Sequence, residues 1–519
     1  MQTFTVVYES VLSFHFLPTE EINHSKSVLV QIYSTYRTRS MLEKIAHEAQ
    51  IFFPNAVIVG ISTYGTIYHK TFSEEKTIIS ITAFERTRLT SFSLENIERK
   101  QIVEAGALLA KKVLKRDTKL LLLFSDGLKI DADGLLEGIT SIAKKRPVTG
   151  TLAGDHEKFF ETFVIHDGQV MTKGAVLVAL NSPHLDVTMD AVNLLHLIGP
   201  DLHVTSSDTN RVYEFNGMIS AELYAHYLGD AFVEKLPRSG LEIALVNQQD
   251  DLQIARNITA VYEDGSLRFA GHVEEDSHWK FGYIDTETPF RFCPPIFESG
   301  KKIENYFLFC DVSQPLYNKE HLYRLIDTLS NIADTVGSFG YGQFCYKNGK
   351  NVLLNQSIVV LGLTETEKRE DMKKASCQIY PVYEREETSL LSNALSHLST
   401  VMFEEFELQK SAMQLLMEEL PYGVIVYDKN LRLESFNKVA SKLLGLEAKL
   451  ASGKELERLD TWIVALLKRG FREELYTQVG RVIDPLSGEN ITLRINTLPI
   501  THDGTVIGAM AIIHKENNV

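Results

Sequence analysis

The chain is short of cysteine, of cationic charge and of long apolar runs, and each shortage excludes something. Four cysteines (Cys293, Cys310, Cys345 and Cys377) in 519 residues are too few for a disulfide framework and point to a reducing compartment, the cytoplasm. No stretch approaches the ~18 consecutive apolar residues of a membrane-spanning helix. Residues Met1–Leu17 lack the basic start, apolar segment and small-residue cleavage site of a secretory leader. Lys and Arg number 53 against 68 Asp and Glu, a net charge of -15, which opposes binding to nucleic acid or anionic lipid. What is present is ordinary globular material, 44% hydrophobic and 23% charged, in a chain long enough for several cores.

The informative feature is a repetition. An apolar strand at Val28–Tyr33 is followed by a helix with Leu42, Ile45, Ala46 and Ala49 at helical spacing, then by VIVGISTYG over Val57–Gly65. The order returns at Leu120–Phe124, a helix with Leu135, Ile139 and Ile142, and VTGTLAGD over Val148–Asp155. It returns again at Tyr306–Cys310, a helix with Leu322, Leu325, Ile326 and Leu329, and TVGSFGYG over Thr335–Gly342. Each copy runs into another strand: Thr77–Phe84, Gly174–Leu180 and Ser357–Leu363. The pattern predicts α/β units, with mixed sheets whose strands end in glycine-bearing loops. Such loops, at the carboxyl ends of strands, are where βαβ proteins hold ligands, although tight turns alone also need glycine.

After Pro381 the texture changes. Residues 384–420 hold neither Gly nor Pro, and Leu391, Leu395, Leu398 and Met402 fall at 4-3-4 spacing. This predicts one long connector helix, paired with a second copy or packed on its own domain. Strands at Gly423–Tyr427 and Leu431–Phe436, a helix capped by Asn437, a helix through Trp462, Ile463, Leu466 and Leu467, and a hairpin of Ile491–Leu498 with Val506–His514 across Asp503-Gly504 complete a compact tail.

GISTYGTI, LLFSDGL, GTLAGD with GAVLVAL, VTSSDTNRVYEFNG, SFGYGQF and NQSIVVLGL, spread in order over residues 28–364, are similar to the FIST domain, a bacterial sensory module. Departures are Asn216–Ala221 where a proline is common, Cys310 without the arginine that often follows, and Gln343 in place of a glutamate. PYGVIVYDKNLRLESFNKVASKLLG, TLRINTLPI and VIGAMAIIH resemble a PAS domain, an α+β fold with an antiparallel sheet. The resemblances imply a FIST N-terminal domain over 1–217, a FIST C-terminal domain over 218–382, a signalling helix over 383–420 and a PAS domain over 421–519. They imply a cytosolic bacterial receptor for a small ligand, a homodimer through the helix and PAS domain, and output through a kinase, cyclase or chemotaxis component. The alternatives are a haem-based nitric oxide sensor, a remnant of a sensor histidine kinase (degenerate or dependent on a partner), an enzyme of unknown reaction, and a scaffold.

The chemistry can be narrowed from the residues. Between His397 and His502 there is neither histidine nor cysteine, which argues against histidine-ligated haem or a cysteinyl-flavin in the tail. Haem stays open for the front region, where His156 and His166 lie near loops. The run HVEEDSH (His272–His278) fits no standard metal spacing. Ser62 sits in G-I-S-T-Y-G, one residue too long for a nucleophile elbow. No Walker or Rossmann fingerprint occurs, and no kinase, cyclase or helix-turn-helix signature follows the last strand. The expected ligand contacts are Ser62, Thr63 and Gly65 from the first loop, and Asp126, Gly154 and Asp155 from the second unit. Tyr341 and Gln343 come from the third loop, and Arg256 would meet a ligand carboxylate.

Overall fold

A computed structural model describes residues 1–516 except 37, 157, 250–251, 286–289, 294–301, 367–377, 381–388, 447–454, 473–474 and 503–504. Cys377, the Asp503-Gly504 turn and the start of the connector helix therefore lie outside the described residues. The chain forms two compact bodies, Met1–Ser399 and Thr400–Val519. Among the described residues, no helix is long and apolar enough to cross a membrane.

The repetition is real and has one topology. The first copy comprises β1 (Ser27–Ser34), α1 (Arg39–Phe52), β2 (Val57–Ser62) and β3 (Thr77–Phe84). The second comprises β4 (Thr118–Ser125), α2 (Ala132–Ala143), β5 (Val148–Leu152) and β6 (Ala175–Asn181). The third comprises β7 (Asn305–Asp311), α3 (Lys319–Ser330), β8 (Asp334–Gly340) and β9 (Ser357–Thr364). In every copy the first two strands pair in parallel, as a helical crossover requires. The last strand then returns antiparallel against the first. The expected helical residues Leu42, Ile45, Ala46, Ala49, Leu135, Ile139, Leu322, Leu325, Ile326 and Leu329 are buried, and Ile142 is half-buried.

A glycine explains how closely these strands meet. Gly60, Gly150 and Gly337 stand opposite Ile32, Leu123 and Leu308 in the parallel registers. A Cβ at each would come within 2.5, 2.0 and 2.2 Å of that neighbour's carbonyl oxygen. No other residue fits without moving backbone.

Each copy also gives a hairpin away. Strand Thr66–Tyr68, which leaves the first loop, pairs with β8 of the third copy. Strand Gln343–Lys347, leaving the third loop, pairs with β5 of the second. Strand Val164–His166, following the second loop, pairs with β2 of the first. The exchange closes on itself. Three six-stranded sheets result, each completed by an edge strand (Gln2–Tyr8, Arg88–Leu94 or Asp186–Asn193) on its returning strand. A further sheet built from residues 195–284 is inserted before the third copy. The boundary expected at 217 falls at the turn where Phe215 pairs with Met218 in that sheet.

The connector α4 spans Ser389–Glu419. Leu391, Ala394 and Leu398 are buried, and Leu398 packs beside Gly199. In the second body, β10 (Gly423–Asp428), β11 (Leu433–Phe436), β12 (Tyr476–Ile483), β13 (Asn490–His502) and β14 (Thr505–Glu516) form an antiparallel sheet of order β11-β10-β14-β13-β12. Its core holds Ile425, Tyr427, Ile463, Leu466, Leu467 and Ile495. Asn437 caps the helix Lys438–Leu444 as expected. Its Oδ1 also accepts from Val424 N at 3.0 Å, while its Nδ2 lies 2.8 Å from the Met417 and Tyr422 carbonyls. One buried amide thus joins the end of α4 to the sheet.

Candidate functional site

The exchanged hairpins force the three glycine loops together. The Tyr64 amide donates to Phe339 O at 3.1 Å and the Phe339 amide to Gly65 O at 3.1 Å. The Gly154 amide donates to Ser62 O at 2.9 Å and the Leu152 amide to Gly342 O at 2.8 Å. Ser62, Thr63, Gly65, Gly154, Asp155, Tyr341 and Gln343 therefore meet at one junction, with Asp126 beside it on the loop after β4.

The polar atoms of these residues are largely engaged within the junction. Ser62 Oγ accepts from Phe163 N at 2.9 Å. Thr63 Oγ1 lies 2.7 Å from both Gly65 O and Phe339 O. Asp126 takes the amides of Leu128, Lys129 and Lys173 at 2.8, 2.7 and 3.1 Å. Asp155 takes those of Lys158, Phe159 and Phe160 at 3.0, 3.1 and 2.9 Å and accepts from the Tyr341 hydroxyl. The Tyr341 ring stacks on Phe159 at 4.8 Å; burial, then the Asp155 charge, push its hydroxyl pKa up. Gln343 Oε1 accepts from Ser357 Oγ at 3.0 Å. These residues hold the loops in shape, and loops so held set the neighbouring crevices.

Arg256 stands apart, on the strand Leu252–Arg256 at the floor of a cavity of about 590 Å³. That volume suits a metabolite. It is lined by α2, with Asp133, Leu136 and Thr140; by the inserted sheet and its loop, with Asn247, Trp279 and His272; and by the strand Lys350–Leu354. Arg256 Nη2 reaches Asp133 Oδ2 at 3.1 Å, Nε reaches His272 O at 3.1 Å, and Nη1 reaches Ala255 O at 3.1 Å and Leu353 O at 3.0 Å. These contacts tie α2, the His272 loop and the strand Lys350–Leu354 to the strand that bears Arg256. Gly271 permits this, since a Cβ there would sit 2.5 Å from both Arg256 Nε and Asp133 Oδ2. The buried Oδ1 of Asn247 has no hydrogen-bond partner, although Asn247 Nδ2 donates to His278 O at 2.7 Å.

A second clamp lies alongside. Asp131, the N-cap of α2, accepts from His272 Nε2 at 2.8 Å, and Asp133 accepts the His272 amide at 2.7 Å. Burial disfavours the charged imidazole, but the hydrogen bond and charge of Asp131, with Asp133, outweigh it and raise the His272 pKa. Burial likewise opposes the Asp131 carboxylate, yet His272 and the Gly134 amide bring its pKa below the ordinary value. Stability from His272 is fully present below its ordinary 6.5 and is lost as pH rises through the raised folded value. Stability from Asp131 is present above 3.8 and is lost as pH falls through the lowered one. The stability gap between wild type and His272→Gln, read from urea unfolding, is therefore expected to be widest in mildly acidic buffer and to narrow at alkaline pH. A gap constant across that range would refute the ion pair.

The signal for Asp131 was legible as an aspartate before a helix; its partner, 141 residues away, was not. The run His272–His278 does not converge. His272 faces Asp131, Glu275 takes the Ser207 amide at 3.2 Å, Asp276 lies 3.5 Å from His203, and His278 meets Asp201 at 2.5 Å. Among the described residues no group of three or more His, Cys, Asp or Glu is placed to hold a metal. The ring nitrogens of His166 lie 2.8 and 2.9 Å from Ser93 Oγ and Ser91 Oγ, an arrangement that does not suit an iron ligand, and His156 packs on Tyr64 at 5.4 Å. Cys310 and Cys345 are free and buried, with burial pushing the Cys345 thiol up to about 12, which leaves them unreactive. Cys293 departs from the reduced state expected of it and is disulfide-bonded.

The first two copies and the start of the inserted sheet carry a match to a known family model. Residues 28–218 match the FIST N domain. The FIST N region is a sensory module of signal transduction, and it supplies the junction's first two loops and the α2 wall of the cavity. No curated protein matches the chain. Solved structures similar to part of it include the PAS domain of a Colwellia psychrerythraea protein (17% identity, 21% of this chain, 96% of that chain, TM-score 0.18). Others are the PAS domain of an HTR-like protein from Haloarcula marismortui (18%, 22%, 98%, 0.19) and that of Bordetella pertussis BvgS (19%, 21%, 87%, 0.17).

Proposed function

We propose that the chain is a small-molecule receptor whose ligand occupies the 590 Å³ cavity between α2 and the inserted sheet. The observation that carries this reading is a metabolite-sized space whose two walls are tied by the Asp131, Asp133, His272 and Arg256 clamps. A ligand touching both walls favours one arrangement of them over others, which is the requirement for a sensor. In this reading residues 1–382 sense, the helix relays and the PAS-like tail responds, with output through a separate signalling protein. Pairing of two copies would use α4, where Phe406, Met413 and Leu416 are exposed, with Leu420 just past its end, at the spacings of a heptad seam.

The chain has two tryptophans, and one of them, Trp279, lines the cavity. A Trp462→Phe variant therefore reports on this space through a single indole. Amino acids, organic acids and haem should be screened for thermal stabilisation; a ligand at a hundred times its Kd adds about 2.7 kcal/mol. The expected result is a stabilising compound that alters Trp279 emission and loses its effect in Thr140→Phe, which narrows the cavity. A stabilising compound that leaves Trp279 silent and tolerates Thr140→Phe would place the ligand elsewhere.

A further inference from the structure

A smaller cavity of about 190 Å³ lies at the carboxyl ends of β4 and β5, between the loop Gly127–Asp131 and the inserted sheet. It shares no lining residue with the larger one. In a chain of net charge -15, four cations line it: Arg99, Lys129, Arg211 and Arg268. Of the two lining carboxylates, Asp131 is taken by His272 at 2.8 Å and Asp208 lies 3.8 Å from Arg99.

Two of the cations face each other. Arg211 and Arg268 are directly paired in the antiparallel register of strands Arg211–Phe215 and Leu267–Phe269, a placement in which like charges repel. Arg211 is held rigidly. Its guanidinium carbon is 3.9 Å from the Tyr262 ring centre and 4.9 Å from that of Tyr213. Its Nη2 donates to Asp264 and its Nε to Ser266 Oγ, each at 2.7 Å. Arg268 donates Nε to Thr259 Oγ1 at 3.1 Å, and among the described residues no carboxylate pairs with it. Both arginines line the cavity, and no hydrogen bond among the described residues engages the two terminal nitrogens of Arg268 or Nη1 of Arg211. A guanidinium fork of this kind matches the paired oxygens of a carboxylate or phosphate.

We infer that this cavity is a binding site for a small oxyanion, a carboxylate- or phosphate-bearing molecule, gripped by Arg268 and Arg211. The inference goes beyond the receptor reading and does not need it, because the two cavities are lined by different residues. An anion here would remove the repulsion between the paired guanidiniums and bridge the loop after β4 to the inserted sheet.

The test uses the full chain, with inorganic phosphate and succinate as probes at constant ionic strength and binding read by calorimetry. Saturable binding is expected, weakened about tenfold or more by Arg268→Met and partly retained by Arg268→Lys, which keeps the charge but loses the fork. Lys145→Met, on the exposed end of the α2 region, controls for loss of one positive charge and should bind as wild type does. Circular dichroism of each variant separates lost binding from lost folding. Failure of both probes to bind, or equal binding by wild type and Arg268→Met, overturns the assignment. Trp279 emission distinguishes the cavities: a probe that binds through Arg268 leaves it unchanged, and its failure leaves the larger cavity's reading intact.

Discussion

Replacing Arg256 with alanine is expected to lower the unfolding free energy of the first body by about 3 kcal/mol or more, the range for removing one partner of a buried ion pair. The side chain is 6% exposed. Its donors satisfy the carbonyls of His272, Ala255 and Leu353 as well as Asp133. Alanine would take a donor from all four acceptors, leaving Asp133 Oδ2 with the His272 amide at 2.7 Å, and would leave a void. Arg256 also joins three parts of the chain: α2 of the second copy, the inserted sheet, and the hairpin strand Lys350–Leu354 of the third. Urea unfolding followed through Trp279 in the Trp462→Phe background measures the loss. A double-mutant cycle with Asp133→Ala separates the ion pair from the carbonyl contacts. A loss below about 1 kcal/mol, typical of a surface pair, would contradict the clamp.

Gly340→Ala should cost about 3 kcal/mol, at the upper end of the overpacking range. A Cβ at Gly340 would lie 2.0 Å from Leu152 O and 2.5 Å from Thr151 Oγ1, and the Leu152 carbonyl belongs to β5 of another copy. The junction would have to open. Gly349→Ala provides the comparison. It has φ +80° with nothing within 4 Å, so only backbone strain of about 1 kcal/mol is expected. Denaturation midpoints of the two variants test whether closeness of approach or backbone angle governs these glycines. Equal costs would mean that the three loops are not packed against each other as described.

Much of the architecture was legible in the residues. Three apolar strands each followed by a helix and a glycine-bearing strand marked the copies, and Asn437 marked its own helix start. The convergence of the loops was also expected, but not its cause. VIVG, VTG and TVG each place a glycine within a strand, opposite a neighbour's carbonyl, and only the register between strands gives that glycine its meaning. Eight of the expected contact residues lie at or beside the junction, bonded largely to backbone around it, and the ninth, Arg256, lines the cavity with Asp133, Asn247 and Trp279, for which no motif speaks.

The residues alone determined what is local: element type, order, the threefold recurrence and the long helix. These follow from apolar spacings of two, three and four positions and from caps a few residues apart. The tertiary structure decided which sheet each hairpin joins, which carboxylate meets His272 and Arg256, and where space remains. Those outcomes depend on side chains separated by a hundred positions or more, and every strand offers the same backbone donors and acceptors to any neighbour. Only the simultaneous packing of all three copies selects among them.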